Sequence, residues 1–232
     1  MDISFLKSWF SRYSSRRVIE RVGSDINPML EVVRIGDRLM LNAANANYSY
    51  GGLHRVFQKA FSRLNIRERK PNDVLILGFG AGSIASILQE ELGLECAITA
   101  VEKDPEVVRL GQKHFNTGRF KDLQLVEADA VVFSRSDTKR YDLVVVDLYI
   151  DFEVPEECEQ QAFINAAANR LKPGGMLLFN KMVYNHLASE QAAELLKKFR
   201  DMPGKTSMLR IKQNVVNRII VYEPGTVKND VP

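Results

Sequence analysis

The chain is poor in the residues that build covalent or metal-held scaffolds. Its 232 residues include two cysteines, three histidines and one tryptophan. Cys96 and Cys158 lie far apart with no CxxC spacing. That argues against a disulfide framework or a zinc site and fits a reducing cytoplasm. No apolar run reaches membrane-spanning length, so no membrane association is expected. The first residues, MDISFLKSWFSRYSSRR, carry an acid at position 2 and no long apolar core, a poor signal peptide. Phe5, Leu6, Trp9, Phe10 and Tyr13 fall on one helical face. That face suits a helix packed on the body or on a homodimer mate, with a membrane-surface helix as the alternative. Net charge is also small: the value is +3 and the basic residues do not cluster as a nucleic-acid binder's would. The short basic runs at 67–70 and 139–140 read as solvated loop edges.

The chain does have an ordinary globular composition, 45% hydrophobic and 26% charged, and a length that suits one sizeable domain with a small appendage. Residues 1–70 read as an N-terminal helix, three short strands (17–22, Leu30–Ile35, Arg38–Asn42, the last two joined at Gly36-Asp37) and a helix at 52–64. Residues 71–224 alternate. Strands are expected at 74–77, 97–101, 123–127, 143–146 and 176–179, and helices at 83–92, 105–114, 157–171 and 189–199. A closing hairpin pairs 208–211 with 218–222. The polar residues 225–232 read as a frayed tail. Strand–helix alternation predicts an α/β fold, a doubly wound and mostly parallel sheet with ligands at the carboxyl ends of its strands.

The sharpest local signal is DVLILGFGAG, Asp73 to Gly82, followed by ITAVEKD. A buried strand runs into a glycine turn and the next strand ends on an acid. Gly78, Gly80 and Gly82 form G-x-G-x-G, whereas the dinucleotide fingerprint would need its third glycine at position 83, which is Ser83. Glu102, about 20 residues on, can accept both ribose hydroxyl protons. Lys103 stands beside it. Asp129, followed by Ala130, suits an exocyclic amine such as the adenine N6, because a carboxylate only accepts. Glu102, Asp129 and Asp147 each follow a successive strand and converge on one rim, while Asp73 starts the first strand. Each acid alone could be a loop cap; three in register after a glycine turn describe a nucleoside cofactor pocket.

This order of motifs resembles the class I S-adenosylmethionine-dependent methyltransferases, from Asp73 to Phe179 and including the LKPGG turn at 171–175. The resemblance implies that Gly78–Gly82, Ala81 included, lies against the methionine part of the cofactor, with Glu102 on the ribose and Asp129 and Ala130 on the adenine. Within that superfamily the chain is similar to the spermidine synthases, through RLMLN, Tyr48–Tyr50 and YDLVVVDLYID. Those enzymes move an aminopropyl group from decarboxylated S-adenosylmethionine to a diamine.

Three departures bear on the reaction. The family's turn reads G-G-G-D-G-G, but Ala81 stands where that acid would repel the carboxylate of intact S-adenosylmethionine. The second acid, Asp151, comes four residues after Asp147 rather than three. Gly51-Gly52 replace the histidine and acid that follow the family's tyrosine. The expectation is therefore an S-adenosylmethionine-dependent methyltransferase acting on a small-molecule acceptor. Asp147 stands near the reacting centre, and Tyr50 and Asp151 shape the acceptor pocket. An aminopropyltransferase using the decarboxylated cofactor and a non-catalytic cofactor-binding protein are the alternatives. DLYI after the fourth strand is not the [DN]PPY of amino-directed nucleic-acid methyltransferases, and no Pro-Cys nucleophile occurs. The fifth strand ends Asn180-Lys181, so no metal is expected. Of His54, His114 and His186, the last stands nearest the expected rim as a base.

Overall fold

A computed structural model describes residues 16–213 and 215–225. The expected N-terminal amphipathic helix and the polar tail beyond Gly225 lie outside the described residues. Two sheets organise the rest. The first has four antiparallel strands in the order β1 (Arg16–Val22), β2 (Leu30–Ile35), β3 (Arg38–Asn42) and β4 (Asn47–Ser49). Gly36, at φ 60°, makes the tight connection between β2 and β3. The short β4 has no counterpart in the sequence reading, because three residues carry too little alternation to register.

Helix α1 (Gly52–Arg63) and a single turn α2 (Ile66–Arg69) lead into the second sheet. Val56, Phe57, Ala60 and Phe61 recur at helical spacing and are the buried face of α1. The second sheet holds seven strands: β5 (Asp73–Leu77), β6 (Ala97–Glu102), β7 (Leu123–Glu127), β8 (Tyr141–Val146), β9 (Leu171–Val183), β10 (Gly204–Lys212) and β11 (Val216–Pro224). Their order is β10-β11-β9-β8-β5-β6-β7. The five strands from β9 to β7 run parallel, and β11 and β10 close the edge antiparallel. The inner strands are apolar throughout, as burial on both faces requires: Val74–Leu77 and Leu143–Val146 are at most 1% exposed.

Helices cover both faces: α3 (Ser83–Ser86, continuing as a π-turn Ile87–Glu91), α4 (Pro105–Phe115), α5 (Ala130–Ser136), α6 (Gln161–Ala168) and α7 (His186–Arg200). The sequence reading had no α5, although Asp129 caps it from the expected position, accepting from the amides of Val131 at 2.8 Å and Val132 at 3.2 Å. The single helix expected over 157–171 is instead a 3₁₀ turn (Glu156–Glu159) followed by α6. Gln160 is extended between them, and Glu159 is held by Lys181 at 2.5 Å. The LKPGG turn is absorbed into β9 as a bulge. A Cβ on Gly175 would stand 3.0 Å from the Tyr141 carbonyl oxygen, a tight contact that glycine avoids where this turn lies against β8.

The small sheet docks on the large domain through α4. Leu30, Val32 and Leu41 pack with Ala81, Val107, Leu110 and Phe115. Buried Asp104 accepts from Ser24 Oγ at 2.5 Å and Asn27 Nδ2 at 2.6 Å while its other oxygen caps α4. Glu20 adds an ionic contact: Lys113, His114 and Arg109 surround its carboxylate and hold it down at about 2.

Candidate active site

In an open parallel sheet the ligand crevice lies where neighbouring strands send their chains to opposite sides. Here that point is between β5 and β8. Gly78 leaves β5 and Asp147 leaves β8 side by side. The Asp147 amide donates to the Leu77 carbonyl at 2.8 Å, and a Cβ on Gly78 (φ +91°) would lie 2.2 Å from the Asp147 carbonyl oxygen. The two loops can touch only because residue 78 has no side chain. A cleft of about 130 Å³ opens there. Its walls come from the β5 turn (Gly78, Phe79, Gly80), the ends of β6 and β7 (Glu102, Lys103, Asp129, Ala130), the segment after β8 (Asp147 to Asp151) and the small sheet (Ile26, Asn27, Asn47, Tyr48).

Glu102 faces this cleft with both oxygens in use. Oε2 accepts from the Gly80 amide at 2.9 Å, and Oε1 accepts from the amides of Lys103 and Asp104. Burial pushes its carboxyl up, and the amides work the other way. Oε2 keeps one lone pair for a ligand hydroxyl. Asp129 takes its two capping amides on Oδ1 and Lys103 Nζ at 2.8 Å on Oδ2. Burial alone would raise it, but Lys103 and the amides prevail and it lies below its ordinary value. Asp147 differs. Asn180 Nδ2 donates to its Oδ1 at 2.9 Å, and among the described residues no partner meets Oδ2. Half-buried in the cleft wall and near Glu102, it is pushed up to about 7, mainly by burial, against the pull of Asn180.

Most of the expected residues gather here: Gly78, Gly80, Glu102, Lys103, Asp129, Ala130, Asp147 and Asp151. Three do not line the cleft. Ala81 is fully buried among the apolar residues between the small sheet and α4, and its amide donates to Ser49 Oγ at 2.8 Å. Gly82 faces the Phe120 ring, which a Cβ would meet at 2.7 Å. Tyr50, at φ 61°, turns its ring out of the cleft, where it stacks between Phe115 (5.3 Å) and His54 (5.5 Å) and accepts from Arg119 at 3.0 Å. It lines a separate opening with Arg38, Arg55 and Arg119. Asp151 reaches the wall, but both its oxygens hold Asn45, accepting from its amide (2.8 Å) and side chain (2.7 Å). His186 is 89% exposed at the start of α7, 3.5 Å from Glu190, and is not part of the cleft.

Sequence reasoning gave no site role to Asn27, Asn180 or Met182, and it noted Tyr48 only within the Tyr48–Tyr50 segment of the spermidine synthase resemblance. The Tyr48 hydroxyl accepts from the Asp151 amide and lies 2.6 Å from Asn27 Oδ1 and 2.9 Å from the Tyr149 carbonyl, tying the small sheet to the loop after β8. Tyr149 accepts from the Met182 amide at 2.7 Å and donates to the Asn180 carbonyl, clamping that loop to β9. Among the described residues no cluster of histidine, cysteine and acidic side chains could hold a metal ion, and no helix is long and apolar enough to cross a membrane.

Residues 74–175 match the family described as "Methyltransferase domain". The polyamine aminopropyltransferase of Vibrio vulnificus is 28% identical over 155 residues, 66% of this chain and 50% of that protein. A probable polyamine aminopropyl transferase of Bifidobacterium longum is 25% identical over 68% of this chain and 36% of its own length. The match thus spans half or less of these relatives. Among solved structures, spermidine synthase from Thermotoga maritima superposes with a TM-score of 0.64 at 15% identity, covering 89% of this chain and 73% of that one. Human methyltransferase-like protein 13, solved with SAH, gives 0.62 at 18% identity over 77% of this chain and 85% of its own.

Fold and switch-point site together define a protein of the class I S-adenosylmethionine-dependent methyltransferase fold. Within that class its build is spermidine synthase-like, since coverage of 89% cannot be reached without the small N-terminal sheet.

Proposed function

We propose that this protein transfers a methyl group from S-adenosylmethionine to an amine of a small acceptor, with Asp147 as the proton-accepting residue. The observation that carries this reading is Asp147 itself, at the switch point with one oxygen held by Asn180, the other without a partner among the described residues, and a carboxyl raised to about 7. A base with that value is half ionised near neutral pH, where general-base catalysis works best.

The donor set suits the cofactor. Glu102 Oε2 has a lone pair for a ribose hydroxyl, Asp129 and Ala130 border the far end, and Gly78 and Gly80 keep main-chain atoms open to approach. Glu102, Asp129, Ala130 and the Gly78–Gly80 turn would hold the cofactor, whose sulfonium would supply an activated carbon for the acceptor amine. The protein's own work is positioning and proton removal. Asp147 Oδ2 takes the proton of the incoming ammonium, Asn180 holds the carboxylate in place, and Tyr48 and Tyr149 fix the surrounding loop.

Aminopropyl transfer from the decarboxylated cofactor is the second reading, favoured by the names of the two relatives and by the cleft's charge. Its wall includes Glu102, Asp129, Asp147, Asp151 and Glu157 against Lys103 alone, which Asp129 already holds. Among the described residues of the wall no free cation faces the place of the intact cofactor's carboxylate. Thermal unfolding with each cofactor, followed by mass analysis of products formed from amine acceptors, separates the readings. Saturation near 100 times the dissociation constant stabilises by roughly 2.7 kcal/mol. Preference for the intact cofactor with a methylated product supports methyl transfer. Preference for the decarboxylated form with an aminopropylated product supports the second reading. Binding without product on any acceptor refutes both and leaves a non-catalytic cofactor-binding protein.

A further inference from the structure

The glycine turn after β5 is braced from outside the large domain. Of the amides from Gly78 to Gly82, all but one are held within that domain. Those of Gly78 and Phe79 donate to the Val101 carbonyl at 3.0 Å, that of Gly82 to the Phe79 carbonyl at 3.1 Å, and that of Gly80 to Glu102 Oε2. The exception is the Ala81 amide, which donates at 2.8 Å to Ser49 Oγ, at the end of β4 in the small sheet. A second contact runs the other way, from the Tyr50 amide to Ser83 Oγ at 2.7 Å. Both serines are buried, Ser49 completely. Gly80 is where the two parts come closest. A Cβ there would stand 2.7 Å from Ser49 Oγ, so the missing side chain admits the hydroxyl.

This junction reaches the cofactor pocket through successive amides of the turn. The Gly80 amide holds Glu102 Oε2, the oxygen with a lone pair for a ribose hydroxyl, and the next amide along is held by Ser49. A buried amide left without an acceptor is costly, so the Gly80–Ala81 peptide keeps its orientation only while Ser49 is there to receive it. We infer that Ser49 is a positioning residue for cofactor binding: by holding the Ala81 amide it fixes the turn and, through Gly80, the aim of Glu102 at the ribose. Ser49 does not itself line the cleft and acts without touching the ligand. The inference rests on the cofactor pocket of the reading above and is independent of which group is transferred.

The test is isothermal titration of the full chain and of Ser49→Ala with both cofactors, adenosine and 2′,3′-dideoxyadenosine, each protein first shown to be folded by its thermal transition. In S49A the dissociation constants of adenosine and of the better-bound cofactor should rise on the order of tenfold, the effect of one lost hydrogen bond. That of dideoxyadenosine, which has no hydroxyl for Glu102, should change by less than about twofold. Ser49→Cys leaves a weaker acceptor in the same place and should fall between the two proteins; it carries the same comparison if S49A does not fold. Unchanged constants in the variant overturn the inference and leave the transfer reading standing. So do equal losses for the two nucleosides, which would make the role of Ser49 structural only. No binding of either cofactor to the native chain refutes the transfer reading and the inference with it.

Discussion

Replacing Asp147 with asparagine tests the site through stability as well as through rate. The carboxyl is raised from an ordinary 3.8 to about 7, chiefly because burial penalises its charge, with Glu102 adding repulsion. A group raised on folding contributes stability that is present below its unfolded value and lost as pH rises through its folded value. The ligand-free protein should therefore weaken between about pH 4 and pH 8. At about 1.4 kcal/mol per pH unit the full cost is roughly 4 kcal/mol, and water in the open cleft reduces it to about 2. For a chain of this size that corresponds to a Tm change of about 4–8 °C. Asparagine keeps the shape and an oxygen for the Asn180 amide but carries no charge. D147N should thus be more stable than the native chain at pH 8 and nearly equal to it at pH 4. The assay is thermal unfolding of both proteins without cofactor across that range. A Tm difference that does not change with pH would refute the assignment of a buried, displaced carboxyl to Asp147. On the transfer reading the same variant should lose roughly 10²–10⁴ in rate.

Other perturbations isolate other parts of the structure. Gly78→Ala drives a Cβ onto the Asp147 carbonyl at a left-handed φ and should cost about 3 kcal/mol, read from the urea midpoint. Asp104→Ala removes the partner of Ser24 and Asn27 and the cap of α4. It should cost about 2–4 kcal/mol, with hydrogen exchange accelerating in β1 and β2 before the large sheet. Asn180→Ala removes the hydrogen bond that lowers Asp147, so the acidic limb of the pH–rate profile should move to higher pH while the basic limb stays. Asp129→Ala loses the cap of α5 at about 1 kcal/mol and frees Lys103. The nucleoside end should then bind more weakly, as isothermal titration with the cofactor would measure.

Much of the architecture was legible because it is written in local pattern. Wholly apolar four-residue runs with β-branched residues, such as Val74–Leu77 and Leu143–Val146, are too short for helices and suit central strands, and alternation with helices implies a parallel sheet and a rim at the strand ends. Glu102, Asp129 and Asp147 were traceable as site residues because each directly follows a strand, and the parallel register then delivers them to one edge. Elements set by tertiary contact were less legible. The break between Glu159 and Gln161 accompanies a buried pairing of Glu159 with Lys181, which no helical pattern records.

Which of these side chains face the cleft was decided only in three dimensions. Period-two alternation would set Tyr48 and Tyr50 on the same side of a strand, but β4 ends at Ser49 and the left-handed backbone of Tyr50 swings its ring into a different opening. Ala81 has the right place in the glycine turn, yet its methyl group is claimed by the apolar seam between the small sheet and α4. Asp151 has the residue type for a second anionic anchor, and its carboxylate is oriented by Asn45, a residue 106 positions away. By itself the sequence determined the order of strands and helices and the chemical types available at the rim, since these depend on neighbours along the chain. Tertiary structure decided which of those groups remain uncommitted, because a carboxylate's partners are set by contacts between segments distant in sequence.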